Sequence, residues 1–280
     1  MRREARPLAV LRWAGLTALG LFTALPLYVM GVTALRPLED VRDGFAWLPA
    51  RLTPEAFGSM WSTADLAAHF ANGALVASCS AALSVLIAVF AAYAVSRYRF
   101  PGRELFRVAV LTTQVLPGVL FLLPLYLIYA SIGRATGILL QGSPFGLIIA
   151  YSTFSLPFSI LLLVGYFDTL PRELDEAALI DGASPLGALL RVVLPAARPG
   201  IAAVAIYAFM AAWGETLFAS IMTDAGSRTV AIGLREYATE SSAHWNEVMA
   251  ASLTVSLPVV AGFLLLQRYF VRGLTAGALR

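Results

Sequence analysis

The amino-acid sequence predicts an all-helical integral membrane protein, a bundle of six transmembrane helices in a single domain over residues 1–280. Hydrophobic residues make up 59% of the chain and charged residues only 13%, whereas soluble globular domains carry about 25% charged residues. Six apolar stretches reach the length of about 20 residues that a spanning helix needs. They lack the alternation of period two that a spanning β-strand would show, so helices are favoured.

The six predicted spans lie at about 13–35, 70–95, 105–129, 145–166, 200–222 and 247–267. The first is longer than the roughly 7–15 apolar residues of a signal peptide and continues into a polar segment. We therefore interpret it as a retained span. Proline or glycine occurs in nearly every span, which membrane helices tolerate where neighbouring helices satisfy the freed backbone groups. The positions concerned include Pro26, Pro117 with Gly118, Pro124, Pro157, Gly214 and Pro258.

The distribution of arginine predicts the orientation. All 20 basic residues are arginine, and 14 of them fall in the N-terminus, in 96–107, in 167–199 and in the C-terminal tail. Cytoplasmic segments of membrane proteins carry an excess of basic residues. Both termini are therefore expected in the cytoplasm, together with the polar segment 167–199 between spans four and five.

Segment 167–199 is patterned as two short helices. Asp168 or Thr169 is suited to cap the first helix, and Gly182 suits the left-handed position that follows its end. Ser184 and Pro185 are typical of the first residues of a second helix. The pattern fits either an amphipathic hairpin at the lipid surface or a docking surface for a protein. The acidic first helix is unfavourable next to anionic lipid, which favours docking.

The same segment carries the E-A-A motif: E-A-A, three residues, Gly, nine residues, an aliphatic residue, one more, then L-P. It is matched by Glu176, Ala177, Ala178, Gly182, Val192, Leu194 and Pro195. The motif resembles that of permease subunits of bacterial ATP-binding-cassette importers. The segments Ala91–Glu104 and Leu116–Gly133 and the tail QRYFVRGLTAGALR look like carbohydrate-uptake permeases of the maltose-transporter type, in particular the smaller, six-span partner. The resemblance covers about residues 65–280.

The resemblance implies a transport subunit in the bacterial cytoplasmic membrane, with a coupling helix that docks on a cytoplasmic ATPase. Its implied partners are a second permease subunit, an ATPase dimer that binds ATP and magnesium, and an extracytoplasmic sugar-binding protein. Segment 223–246 would reach towards that binding protein. The implied coupling residues are Glu176, Ala177, Ala178, Asp181, Gly182, Leu194 and Pro195.

Several enzyme classes are excluded by missing motifs. Without any lysine the chain has no phosphate-binding loop of the G-x-x-x-x-G-K-[ST] type, so it is not itself the ATPase. It has two histidines, His69 and His244, and no H-E-x-x-H motif, so neither catalytic metal chemistry nor an enzyme is expected. The single Cys79 lies in an apolar run, cannot form an intrachain disulfide, and is interpreted as a packing residue.

Glu215 is the one carboxylate placed deep within a predicted span, and such groups usually face a cavity or a partner. With Tyr207 and Trp213 it could line a sugar pathway, because carboxylates accept hydrogen bonds from hydroxyls and aromatic rings stack on sugar faces. Alternatively, Glu215 fixes one helix against another. The family often has Asn between the Trp and the acidic or amide residue, where this chain has Gly214. The segment 134–144 looks longer than is usual in the family.

Three other functions compete with the importer permease for a sugar. A self-sufficient secondary transporter would be expected to show internal repeats and paired intramembrane charges, and the lone Glu215 argues against it. An importer permease for a non-sugar solute such as glycerol phosphate would share the same scaffold. A membrane-embedded enzyme would need a cluster of titratable residues near one membrane face, which the sequence does not contain.

Overall fold

A computed structural model of the chain describes residues 6–240 and 244–277, and every regular element in those ranges is helical. The predicted fold class, an all-helical membrane protein, is confirmed. Residues 1–5 and 278–280, which belong to the predicted cytoplasmic termini, and 241–243 of the predicted outer segment lie outside the described residues. The placement of the termini stays a prediction.

In chain order, the helices are α1 (Arg6–Ala34), α2 (Leu38–Arg42), α3 (Glu55–Ser59), α4 (Leu66–Arg97), α5 (Arg103–Thr113), α6 (Leu122–Thr136), α7 (Pro144–Thr169), α8 (Glu173–Ile180), α9 (Pro185–Ala188), α10 (Leu194–Ala196), α11 (Arg198–Trp213), α12 (Leu217–Met222), α13 (Val230–Glu240) and α14 (Trp245–Gly277). Short 3₁₀ turns occur at Thr63–Asp65 and Gly118–Phe121, and a π-helical turn at Leu189–Val193.

Among the described residues, five helical stretches are long and apolar enough to cross a membrane. A sixth is obtained if Pro185–Ala196 and Arg198–Trp213, which meet at an angle of 80°, are counted as one span. The five stretches lie within α1, α4, α7, α14 and Gly118–Thr136. The predicted number of spans therefore agrees with the upper count.

Two predicted spans are divided. The predicted span 105–129 is interrupted between Thr113 and Gly118, and the helix that can cross the membrane runs over Gly118–Thr136. Pro117 is extended, with φ −61° and ψ 125°, and it offers no N–H to continue a helix. The predicted span 200–222 is likewise interrupted between Trp213 and Leu217.

The chain divides into two compact units, one of Met1–Ala67 with Gly233–Leu257 and one of Ala68–Ile232 with Pro258–Arg280. The sequence-based prediction of a single domain over residues 1–280 stays a prediction. All residues predicted to take part in coupling or to line the pathway lie in the second unit.

In the first unit, buried polar groups join the end of α1 to the start of α14. The Arg36 guanidinium donates to the carbonyls of Gly44, at 2.9 Å, and Asp40, and Asn246 Nδ2 donates to the Arg36 carbonyl at 3.3 Å. Nearby, the Arg51 guanidinium donates to the Asp40 carboxylate at 2.6 Å and lowers the pKa of that carboxyl. These contacts hold the loop after α1 in place.

The core of the second unit is formed by α4, α7, α11 and the π-helical turn. Small residues let these helices approach closely, as is usual in membrane bundles. The hydroxyls of Ser84 and Ser155 meet at 2.7 Å between α4 and α7, and a Cβ at Gly200 would lie 2.5 Å from the ring of Tyr166. The buried members of this core are Ala88, Val89, Ala92, Tyr93, Val95, Ile160, Leu163, Val164, Phe167, Leu189, Val193, Ala197 and Val204.

Candidate functional site

The polar segment between α7 and α11 folds into a helical hairpin, residues 173–196, which we call the coupling hairpin. Its first helix, α8, ends in a Schellman motif: Ala183 N donates to the Ala178 carbonyl at 3.0 Å, and Gly182 N donates to the Leu179 carbonyl at 3.1 Å. Gly182 has φ +82°. It therefore occupies the left-handed position that the sequence predicts.

The second helix of the hairpin also begins as predicted. The Ser184 hydroxyl accepts a hydrogen bond from Gly187 N at 3.1 Å, and Pro185 follows in the first turn. The predicted cap of the first helix is wrong, because α7 continues to Thr169 and α8 begins only at Glu173. The Asp168 carboxylate instead accepts a hydrogen bond from the Ser96 hydroxyl at 2.5 Å.

The two faces of the hairpin differ in exposure. Glu176, Ala177, Asp181 and Gly182 all lie on the exposed face, and Pro195 is exposed on α10. Two other residues implied by the family motif turn inward: Ala178 is buried, and Leu194 packs against the core of the second unit. These two support the hairpin from inside the second unit.

Ile180 is a residue on the exposed face that sequence reasoning missed. Its side chain is 86% exposed, more than that of its neighbour Leu179 at 47%. The available signal was an isoleucine directly before the Asp-Gly turn, since an aliphatic residue at the exposed end of a polar helix has no core to enter. Such a side chain is suited to contact a partner surface.

The hairpin is tied to the end of α4 by polar contacts. The buried Asp175 carboxylate accepts a hydrogen bond from the Tyr93 hydroxyl at 2.7 Å and forms an ion pair with Arg97 Nε at 2.9 Å. Arg97 also donates to the Leu170 carbonyl, and Arg172 donates to the Ser96 carbonyl, both at 3.2 Å. Movement of the hairpin independently of α4 would break the contacts that Tyr93 and Arg97 make with Asp175.

A second feature of the unit is a cavity of about 710 Å³. Both breaks in the spans lie at its wall, the break between α5 and α6 and the break between α11 and α12. Irregular backbone at membrane depth is tolerated where it lines a cavity. The lining residues are Thr113, Gln114, Leu116, Gly118, Val119, Phe121, Pro124, Leu125, Ile128, Tyr151, Thr153, Phe154, Ser155, Pro157, Tyr207, Ala211, Ala212, Glu215, Leu217 and Phe218.

Glu215 makes contacts that fix neighbouring helices, and it also lines the cavity. Its carboxylate accepts hydrogen bonds from the N–H groups of Leu217 at 2.7 Å and Phe218 at 3.0 Å, so it caps α12. It accepts another from the Tyr151 hydroxyl at 2.8 Å, which joins α12 to α7. The same side chain lines the cavity. Fixing the helices thus leaves the carboxylate at the wall of the cavity.

The two aromatic residues predicted with Glu215 are placed differently. Tyr207 lines the cavity, with its ring centroid 4.3 Å from that of Phe158. Trp213 is buried away from it, against Phe70 at 5.2 Å and Phe209 at 5.6 Å. Of the three predicted pathway residues, the structure brings Tyr207 and Glu215 to one cavity.

Tyr151 and Gln114 are cavity residues that sequence reasoning missed. Tyr151 is a tyrosine inside the predicted span 145–166, and a hydroxyl in such a span needs a hydrogen-bond partner. Gln114 stands at the end of α5, directly before the break that ends at Pro117. The signal for both residues was the same: a polar side chain within or beside an apolar run.

We expect Glu215→Gln to destabilise α12, because an amide offers one acceptor oxygen where the carboxylate offers two. Hydrogen bonds to a charged group contribute about 1.5–3 kcal/mol each. The matched variant Tyr151→Phe removes a single hydrogen bond to the same carboxylate and should lower the stability less. Thermal unfolding of the detergent-purified protein is the measurement. An equal effect of the two variants would contradict the capping role.

A model of the family described as binding-protein-dependent transport system inner membrane component matches residues 45–276. The chain is 32% identical over 272 residues to the inner membrane ABC transporter permease protein YcjP of Escherichia coli (strain K12), with 96% of this chain and 95% of that protein covered. It is 33% identical over 276 residues to the diacetylchitobiose uptake system permease protein DasC of Streptomyces coelicolor, with 96% of each chain covered.

A third relative is the trehalose/maltose transport system permease protein MalG of Thermococcus litoralis. It is 36% identical over 220 residues, which are 78% of this chain and 77% of that protein. The fold is similar to that of a chain in the crystal structure of a bacterial ABC transporter involved in the import of the acidic polysaccharide alginate. That match has a TM-score of 0.81 and 21% identity and covers 96% of this chain and all of the other. The chain thus belongs to the family of inner membrane components of binding-protein-dependent transport systems.

Proposed function

We propose that this chain is the permease subunit of an ATP-driven sugar importer, in which it forms half of the translocation pathway and couples to a cytoplasmic ATPase. The proposal rests chiefly on one observation: a capped hairpin whose exposed face carries Glu176, Ala177 and Gly182 of the E-A-A motif. The relatives named for diacetylchitobiose and for trehalose or maltose uptake support a sugar as the solute. Membership of this family argues against the alternative of a self-sufficient secondary transporter.

The exposed face of the hairpin is suited to enter a groove of the ATPase. Ala177 and Gly182 allow close approach, Glu176 offers a charge for a basic residue, and Ile180 offers apolar area that a partner would bury. ATP and magnesium would be bound by the ATPase rather than by this chain. Closure of the ATPase dimer would displace the hairpin. The transmembrane helices would then move as rigid bodies from one arrangement of the bundle to the other.

We assign half of the solute pathway to the 710 Å³ cavity. The rings of Phe154 and Tyr207 offer faces on which a sugar can stack, while the Gln114 amide offers groups that bond hydroxyls. Residues of α5 and α6, such as Leu111 and Leu123, expose much of their side chains. A second permease subunit placed there would complete the pathway. An extracytoplasmic binding protein would deliver the sugar near segment 223–246.

The lining of the cavity favours a neutral sugar over a phosphorylated solute such as glycerol phosphate. Glu215 is the one charged side chain among the described residues at its wall. A carboxylate at the wall repels an anion, and the repulsion is stronger the less water lies between the two charges. A neutral hydroxyl carries no charge for the carboxylate to repel. The proposed solute is therefore a neutral mono- or oligosaccharide.

The docking role is tested with Glu176→Lys. We expect the variant to insert and fold normally but to lose ATPase binding, because the exposed carboxylate at the hairpin becomes a cation. Glu104→Lys makes the same change of charge at an exposed position of α5, outside the hairpin, and should retain binding. Copurification of the ATPase with the tagged permease is the measurement. Equal recovery of the ATPase with both variants would refute docking through Glu176.

A further inference from the structure

Helix α4 connects the coupling hairpin to the polar segment that follows α12. It has 32 residues, which corresponds to a length of about 48 Å at 1.5 Å per residue. The hydrocarbon core of a bilayer is about 30 Å thick. The helix is therefore long enough to reach both membrane faces, and it has specific contacts near each end.

At one end, Tyr93, Arg97 and Asp175 form a buried cluster that we call the latch. The side chains of the ion pair are only 7% exposed for Arg97 and 12% exposed for Asp175, with Nε and Oδ2 2.9 Å apart. The Tyr93 hydroxyl donates to the other oxygen of Asp175 at 2.7 Å. A buried ion pair adds little net stability over apolar packing, but removing one partner is costly. The latch therefore fixes one geometry, whereas apolar surfaces could slide.

At the other end, Asn72 holds the segment between α12 and α13. Its side-chain amide donates to the carbonyls of Gly226 at 3.0 Å and Arg228 at 3.1 Å. One residue further, Gly73 lets Val230 approach so closely that a Cβ would lie 3.2 Å from the valine side chain. These contacts fix the segment to α4.

Between these two ends α4 is uninterrupted. It contains no proline, whereas α1, α7 and α14 contain Pro26, Pro157 and Pro258, where helices tend to bend. The predicted third and fifth spans are broken outright. Of the described spans, α4 is thus the one best suited to move as a stiff body.

We propose that Tyr93, Arg97 and Asp175 are positioning residues for energy coupling, which fasten the coupling hairpin to α4 so that the helix carries the hairpin's displacement to the segment held by Asn72. This rests on the proposed docking of the hairpin on an ATPase. In this arrangement Asp175 contacts no ATPase. It acts by keeping the hairpin and α4 one rigid body while Glu176, the next residue, faces the partner.

The test is a distance measurement by electron paramagnetic resonance on the assembled complex. In a Cys79→Ser background, spin labels are attached at Ala71→Cys, on the exposed side of α4, and at Arg191→Cys, on the exposed side of the hairpin. We expect the parent to give one narrow distance distribution that is the same without nucleotide and with ATP plus vanadate. Asp175→Asn should broaden the distribution or make it differ between the two states.

Two further variants keep the test decisive. Tyr93→Phe removes one hydroxyl and should broaden the distribution less than Asp175→Asn does, so it serves if the latter fails to assemble. Glu173→Gln removes one negative charge from an exposed position of α8, the helix that also carries Asp175. It should leave the distribution unchanged. In uptake assays, Asp175→Asn should transport less solute per ATP hydrolysed than Glu173→Gln.

Two outcomes would overturn the proposed role of the latch. One is a narrow distribution that does not depend on nucleotide in Asp175→Asn, and the other is a parent distance that changes with nucleotide. Both are read from complexes that retain the ATPase. Failure of the docking proposal is seen elsewhere, in normal ATPase recovery with Glu176→Lys, so the two proposals fail separately.

Discussion

A Gly182→Trp variant is expected to insert into the membrane but to lose ATP-driven uptake. Apart from its two neighbours along the chain, no atom in the described part of the protein lies within 4 Å of a Cβ built at this position. The indole therefore has room to project from the exposed face of the hairpin. The left-handed φ of +82° costs an L-residue about 1–2 kcal/mol. That local cost is too small to unfold the bundle, and the main effect falls on the proposed ATPase contact.

Gly182→Asn is the matched control for this prediction. Asparagine tolerates the left-handed conformation better than other residues with a side chain and occurs at the same helix-ending position. It is also much smaller than tryptophan. We expect this variant to retain most ATPase binding and uptake. Full uptake by Gly182→Trp, measured in proteoliposomes with the cognate binding protein and ATPase, would contradict docking at this turn.

The turn of the hairpin could be predicted because its determinants are local. Gly182 has the conformational freedom that a helix end needs, and Ser184 with Pro185 supplies an acceptor and a fixed φ within one turn. Each depends on neighbours within about four residues along the chain. Membrane spans are similarly local, because an apolar run of sufficient length has few other solutions in lipid.

The latch could not be predicted, because its partners are far apart in sequence. Acidic residues in the first turn of a polar helix are normally solvated, and Glu173 and Glu176 follow that rule. Asp175 is buried instead, because the Tyr93 hydroxyl, 82 residues earlier, donates to it and Arg97 neutralises it. One sequence contains no signal that pairs these positions.

The breaks in the spans could be predicted only in part. Pro117 and Gly214 were visible as irregular positions, but an apolar run has the same hydropathy whether it forms one helix or two. What decides is whether the freed backbone groups find partners. At the second break they do, since Glu215 accepts the N–H groups that begin α12. Trp213, close by, packs into the interior as other large rings do.

Gly146→Ala is expected to have the largest effect on folding. A Cβ at this position would lie 2.0 Å from the carbonyl oxygen of Leu140 and 3.3 Å from the ring of Tyr129. Neither neighbour can yield easily, because Leu140 is buried and the Tyr129 hydroxyl donates to the Gly146 carbonyl at 2.9 Å. Overpacking costs about 1–3 kcal/mol where side chains can adjust, and a clash with backbone should reach the upper end.

This clash also connects the long segment 134–144 to the wall of the cavity. Gly142 in that segment donates to the Met222 carbonyl at 2.9 Å, at the end of the helix that Glu215 caps. A displaced segment would therefore shift α12 and the cavity wall to which α12 contributes.

Gly165→Ala is the matched control, because Gly165 lies in α7 as Gly146 does. Apart from the backbone of its own helix, no atom in the described part of the chain lies within 4 Å of a Cβ at Gly165. The variant should therefore be neutral or slightly stabilising. Thermal unfolding and size-exclusion profiles compare the two. Equal stability of the two variants would contradict the predicted clash at Gly146.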